Sequence, residues 1–204
     1  MPATAQDRPL TPAARRVLRV AEELFYERGI GSVGMELIAA EAGVTKKTVY
    51  DRFGSKDALI LAYLRARDER WRDFVATRIA AVPDARERIL ATFDALDAWQ
   101  ADEAERGCSM VNACAELPDA SHPVHGAAAG QKAWLRDLYA GLIGEAGMAG
   151  DQGMLADQLL IVHEGAVVAF SVGGIRDAAA KARATADAIL PRTGLPTTGI
   201  PTTG

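Results

Sequence analysis

The chain has 204 residues, 49% of them hydrophobic and 25% charged, enough for one substantial core or a small unit joined to a larger one. Two cysteines, Cys108 and Cys114, are too few for a secreted disulfide framework, and no unbroken run of eighteen apolar residues offers a membrane span. Net charge is −4, but residues 1–60 hold nine Lys/Arg against eight Asp/Glu and the rest fourteen against nineteen, so a near-neutral head joins an acidic body that would leave any nucleic-acid contact to the head.

Residues 1–10 read as a flexible arm without the apolar core of a signal peptide, which points to the cytoplasm. Thr11 then caps a first helix with Pro12 at its first position, where proline is tolerated. Val17, Leu18, Ala21, Leu24 and Phe25 form its apolar stripe. Gly29 ends it. Arg15, Arg16 and Arg19 near its start suit a solvated face or phosphate contact, and both readings stay open. Gly29–Gly34 is a loop.

The stretch Leu37–Phe53, LIAAEAGVTKKTVYDRF, is the one around which the rest of the chain is organised. Ile38, Ala39 and Ala42 share one face of a short helix. Gly43 suits a helix exit at positive φ, Val44 plugs the corner, and Thr45 caps the next helix. That helix, Lys46–Arg52, exposes Lys46, Lys47 and Thr48 in its first turn and turns Val49 and Phe53 inward. A helix-turn-helix needs this layout: polar residues at the tip of the second helix meet base edges while its inner face holds it on the first. The competing reading is an ordinary helical hairpin that exposes two lysines.

Gly54 breaks that helix and Ser55 caps a long fourth one, reaching about Ala81 before Pro83. Lys56 in its first turn opposes the helix dipole, so it fits a phosphate better than a stabilising role. Apolar periodicity then marks helices up to about Glu105, over Cys108–Leu117, His122–Ala146, Met154–Val172 and Ile175–Leu190. The tail PRTGLPTTGIPTTG repeats Pro-Thr-Thr-Gly without core-forming residues and reads as disordered over 191–204. The LPTTG at Leu195–Gly199 is a coincidental likeness to a sorting signal. No β pattern occurs. The fold class is all-α, about nine helices, with bundle-like connections.

Catalytic signatures are missing: no Ser/His/Asp set, phosphate loop or spaced carboxylate pair stands out, so no enzyme and no cofactor are expected. His122, His125, His163 and Glu164 invite a metal reading, but His122 precedes Pro123 at a helix start and exposure is equally natural, so no metal is assigned. Cys108 and Cys114, six apart on one helix, face away from each other.

Residues 11–64 resemble the DNA-binding domain of TetR-type (TetR/AcrR) transcriptional regulators. The resemblance rests on Val17-Leu18, Ala21, Leu24-Phe25, Gly29, Ile38-Ala39, Ala42-Gly43-Val44-Thr45, Thr48-Val49-Tyr50, Phe53, Ser55-Lys56 and Leu59. Arg106-Gly107-Cys108, Asn112-Ala113 and Glu116-Leu117-Pro118 look like one branch of that family. The resemblance implies a helix-turn-helix domain over 11–54 and an effector-binding and dimerisation domain over 55–190. It implies a homodimeric repressor, released by a small molecule, on a pseudo-palindromic double-stranded DNA operator, and the aromatic and methionine side chains of the body suit an apolar or aromatic effector. Thr45, Lys46, Lys47 and Thr48 would face bases and phosphates, with Tyr50 and Lys56 on the backbone. Met154–Gly173 and Ile175–Leu190 would form the dimer face, with no membrane involved. A pocket between helices five to eight would draw on Phe93, Leu96, Trp99, Met110, Val111, Cys114, Trp134, Leu138 and His163. Asn112, Glu116 and Glu164 are polar groups on these apolar segments, and a ligand or core hydrogen bonding would satisfy them.

One departure stands in the head. The family carries a Thr/Ser pair where this chain has Val33-Gly34, so one backbone contact is absent or Ser32 stands in. Asp51, an acid near the DNA face, would pair with Lys47 or Arg52. The alternative to a regulator is an α-helical small-molecule-binding protein or enzyme that no longer reads DNA.

Overall fold

A computed structural model describes residues 10–191; the expected arm and tail, apart from Leu10 and Pro191, fall outside these residues. Nine helices account for the described chain: α1 (Pro12–Arg28), α2 (Met35–Glu41), α3 (Lys46–Phe53), α4 (Lys56–Ala80), α5 (Ala85–Asp102), α6 (Ser109–Glu116), α7 (Pro123–Glu145), α8 (Gln152–Ser171) and α9 (Ala178–Ile189). Side-chain caps set several of the starts. Thr11, Thr45, Ser55, Asp84 and Asp151 each accept from a backbone N–H of the first turn. Gly29, Gly43 and Gly54 leave α1, the α2 corner and α3 at φ of 86°, 62° and 78°, where a side chain would be strained.

Two hydrophobic clusters form. The head cluster joins Val17, Ala21, Leu24 and Phe25 of α1 to Ile38 and Ala39 of α2, Val49 of α3, and Leu59, Ile60, Tyr63 and Leu64 of α4. The body cluster gathers Trp71 and Val75 of α4 with Leu90, Phe93 and Leu96 of α5, Tyr139 and Ile143 of α7, Leu159 of α8 and Ala179 of α9. At about 1.5 Å per residue, 25-residue α4 is roughly 38 Å long and serves both.

The head does not end at α3 in its packing. Met110 and Ala113 of α6 and Val124 of α7 are buried in the head cluster. Polar contacts reinforce this seam. Tyr26 Oη donates to the Gly107 carbonyl at 3.1 Å and accepts from the Arg106 amide at 3.0 Å. Glu116 Oε2, at the end of α6, accepts from the Gly31 amide at 2.8 Å. The Arg67 guanidinium is buried 4.1 Å over the Tyr26 ring, flanked by Glu22 at 3.8 Å and Glu103 at 3.5 Å.

Helix α8 is long and apolar enough, by length and composition, to cross a membrane. It carries Asp157, His163 and Glu164, however, and packs against α7 and α9. Its buried side presents Leu155, Leu159, His163 and Ala166. Its other side exposes Met154, Ile161 and Val168, and Val172 at its C-cap extends the stripe, at intervals of seven, seven and four residues. Ile175, just beyond, is also exposed.

Candidate nucleic-acid interface and effector cavity

Helix α3 is held by one buried residue, Val49, while Phe53 and Val44 pack partly buried against the same cluster. Its other residues face outward, Thr48 in part. Thr45 Oγ1 accepts from the Thr48 amide at 3.1 Å and lies 2.9 Å from Thr48 Oγ1, so both hydroxyls are fixed at the helix tip. Lys46 forms an ion pair with Glu36 of α2, which raises the pKa of the lysine and lowers that of the acid. Lys47 pairs with Asp51 one turn along at 2.8 Å. Tyr50 is exposed, its ring 5.9 Å from the Lys46 ammonium. Thr45, Lys46, Lys47, Thr48 and Tyr50 thus occupy one end and one side of a single short helix.

Lys56 lies elsewhere. Its ammonium donates to the Ile30 carbonyl at 2.6 Å and sits 6.0 Å from the Phe25 ring, tying the start of α4 to the α1–α2 loop. Ser32 does not cap α2 in place of the missing hydroxyl pair. It donates to the Arg28 carbonyl at 2.6 Å, closing the end of α1. Val33 is a core residue, and Gly34 caps α2 with no side-chain bond. Arg16 is engaged within the head, donating from Nε to the Ala42 carbonyl at 3.0 Å.

In the body, a cavity of about 60 Å³ opens where α4 crosses α5, α7 and α8, beside the start of α6. Of the residues expected in a pocket, Leu96, Trp99 and His163 line it. Phe93 stands behind it, its ring 5.6 Å from that of His163. Met110 and Cys114 pack in the head cluster instead. Trp134 and Leu138 pack on the body core away from the cavity, and Val111 is exposed. Spacing along single helices did not bring in Arg67, Trp71, Gln100 or Lys132, which complete the walls. Trp71 meets Trp99 edge-on at 5.4 Å and His163 at 5.9 Å.

The cavity's polar groups are mostly satisfied. Lys132 Nζ donates to Glu164 Oε1 at 2.9 Å, Gln131 Oε1 at 3.1 Å and Cys108 Sγ at 3.4 Å. Burial opposes its charge, but Cys108 and Glu164 outweigh that and raise its pKa. A buried chain of hydroxyls fixes His163. The single proton of Thr92 goes to the Ile89 carbonyl at 2.7 Å. The 3.0 Å contact of Tyr139 Oη with Thr92 is therefore a bond donated by the tyrosine, and the 2.9 Å contact of Tyr139 Oη with His163 Nδ1 is donated by the imidazole. Nδ1 carries the ring proton and Nε2 is left as an acceptor. Burial, then the nearby Lys132 charge, lower the His163 pKa to about 3, so the ring is neutral.

Among the described residues no three His, Cys, Asp or Glu side chains converge as a metal site. His122 caps α7 through Nδ1, His125 Nε2 lies 2.9 Å from the Leu117 carbonyl, and His163 is in the body core. Both cysteines are free thiols, and burial raises the pKa of Cys114.

A capped helix-turn-helix fused through one long helix to a hollow α-helical body defines a DNA-binding regulator. Comparison with known proteins agrees. The family described as "Bacterial regulatory proteins, tetR family" matches residues 17–63, and "Tetracyclin repressor-like, C-terminal domain" matches residues 85–186. The crystal structure of SCO4454, a TetR-family transcriptional regulator from Streptomyces coelicolor, is 32% identical with a TM-score of 0.80, covering 86% of this chain and 93% of that one. A TetR-type regulator from Streptomyces avermitilis is 31% identical with a TM-score of 0.69, covering 87% and 99%. Among curated relatives, the HTH-type transcriptional regulator Rv1255c of Mycobacterium tuberculosis is 39% identical over 80 residues, 39% of this chain and 40% of that protein. The activator FasR of Mycolicibacterium smegmatis is 35% identical over 80 residues, 39% and 36% of the two chains. The matches thus span about two fifths of these curated relatives' length. The chain belongs to the TetR family of transcriptional regulators, a family of DNA-binding proteins rather than enzymes.

Proposed function

We propose that the protein is a homodimeric, cytoplasmic repressor that leaves its operator when a small molecule enters the body cavity. The observation that carries this reading is the seam at Gly107–Ser109. These residues line the cavity, and the Gly107 carbonyl is bonded to Tyr26 of the head. An occupant that displaces the segment therefore pulls on α1 and, through Glu116 and Gly31, on the loop before α2. Two heads must meet successive major grooves about 34–36 Å apart, so a small change of head position lowers operator affinity.

The second copy would pack on the Met154, Ile161, Val168 and Val172 stripe, where exposed Gly165 between the apolar residues permits close helix approach. At the DNA, Thr45, Lys46, Lys47 and Thr48 would meet base edges and phosphates and Tyr50 the backbone. Lys56 would act first by holding the α1–α2 loop. FasR is named as an activator, so activation in place of repression is the other outcome.

A mobility-shift titration with the DNA upstream of the protein's own gene tests the reading. We expect a shift by a dimer, lost when Lys46 and Lys47 are both replaced by Ala, with a salt slope lower by about one for each phosphate contact removed. A monomer, or a double variant that binds as well as the parent, would refute it. A promoter fusion distinguishes repression from activation.

A further inference from the structure

Gln100 lies on α5 among the cavity's aromatic residues and is 3% exposed. Its Nε2 faces the Ala166 carbonyl at 3.5 Å. A carbonyl only accepts, so the amide cannot be turned the other way round. Oε1 is then left buried with no partner. Buried acceptors are ordinarily paired, and leaving one bare is costly. His163 adds a second acceptor, Nε2, which makes no hydrogen bond among the described residues. The cavity's cations have nothing left to offer by comparison. Lys132 is paired with Glu164, and Arg67 with Glu22 and Glu103.

We propose that this cavity takes a monocyclic aromatic molecule bearing an O–H or N–H donor, a phenol or an aniline, with the donor on Gln100 Oε1. This rests on the ligand-release reading and names its ligand class. The walls support a ring: Trp71 and Trp99 stand edge to face, Leu96 and Leu135 are buried beside them, and neutral His163 adds another ring edge. Size limits the occupant. A cavity of about 60 Å³ is well under the roughly 150 Å³ known to hold benzene, so one ring enters by displacing the half-exposed rim of Cys108, Gln131, Lys132 and Glu164. Displacement of Cys108 is also displacement of the segment bonded to Tyr26.

Calorimetry and tryptophan quenching on the full-length protein test this with phenol, aniline, toluene and anisole. Toluene is the more hydrophobic isostere and anisole has an oxygen but no donor, so a plain apolar pocket ranks toluene and anisole above phenol. We expect the reverse, with phenol and aniline about tenfold tighter. The Gln100→Met variant keeps the length and removes the acceptor, and in it the preference should vanish or invert. Toluene at least as tight as phenol in the parent, no binding by phenol or aniline, or a preference that survives in Gln100→Met would each overturn the proposal. The parent ranking tests the ligand class even if the variant misfolds. Operator affinity with and without phenol is measured separately. Phenol that binds in the expected order yet leaves the DNA complex intact refutes release and not the ligand class.

Discussion

Acid should weaken this fold through one buried ring. His163 is neutral in the folded protein, with its pKa lowered from 6.5 to about 3 by burial first and by Lys132 second. In the unfolded chain the same ring takes up a proton near pH 6.5. Between pH 6.5 and about 3 the unfolded state therefore holds more protons than the folded one. The contribution is complete above pH 6.5 and is lost as pH falls through that window. Between pH 7 and pH 5 the loss is about 2 kcal/mol. Carboxylates add their own pH dependence, so the decisive quantity is a difference between variants. His163→Gln keeps a polar partner for Tyr139 but does not titrate. Urea denaturation at pH 7, 6 and 5, at one protein concentration, should show the parent losing about 2 kcal/mol more than the variant over that range. Equal losses in the two proteins would mean that the ring is already protonated or solvated in the folded state, and the derived tautomer would fall with it.

Val49→Ala removes the one fully seated side chain of α3 and should lower stability by roughly 1.5–2.5 kcal/mol, read by thermal melting, while operator binding falls further because the helix loses its anchor. Paired Ile161→Glu and Val168→Glu substitutions on the exposed stripe should yield a folded monomer by analytical ultracentrifugation that no longer shifts DNA; an intact dimer would place the interface elsewhere. Glu116→Ala should change stability by only about 1 kcal/mol, because the bond is exposed, yet should speed hydrogen exchange at the Gly31 amide.

The head was readable in advance because its signals are local. Thr11, Thr45 and Ser55 act within their own first turns, and Val17, Leu24 and Ile38 lie on helical faces, so one-dimensional spacing carries them. The last helix starts at Ala178 rather than near Ile175, because the Ile175 amide turns back to the Ala169 carbonyl. Lys56 illustrates what spacing does not carry: it is placed by a carbonyl 26 residues earlier. The cavity was legible in part. Leu96, Trp99 and His163 announce themselves as bulky or polar residues on helix faces. Arg67, Trp71, Gln100 and Lys132 join them only because α4, α5 and α7 cross at one point, and a crossing leaves no trace in the period of any one helix.

Both lysines at the tip of α3 are paired with a carboxylate, Lys46 with Glu36 and Lys47 with Asp51. With two acids beside two lysines the local net charge of these four groups is close to zero, so at a DNA-reading tip of the proposed kind they would add little long-range pull on random sequence. In the proposed complex, phosphate or guanine would replace each carboxylate only on close docking, an exchange that gains little unless the fit is right. If the tip of α3 meets DNA as proposed, discrimination between operator and bulk chromosome is partly a property of two acids that never touch a base.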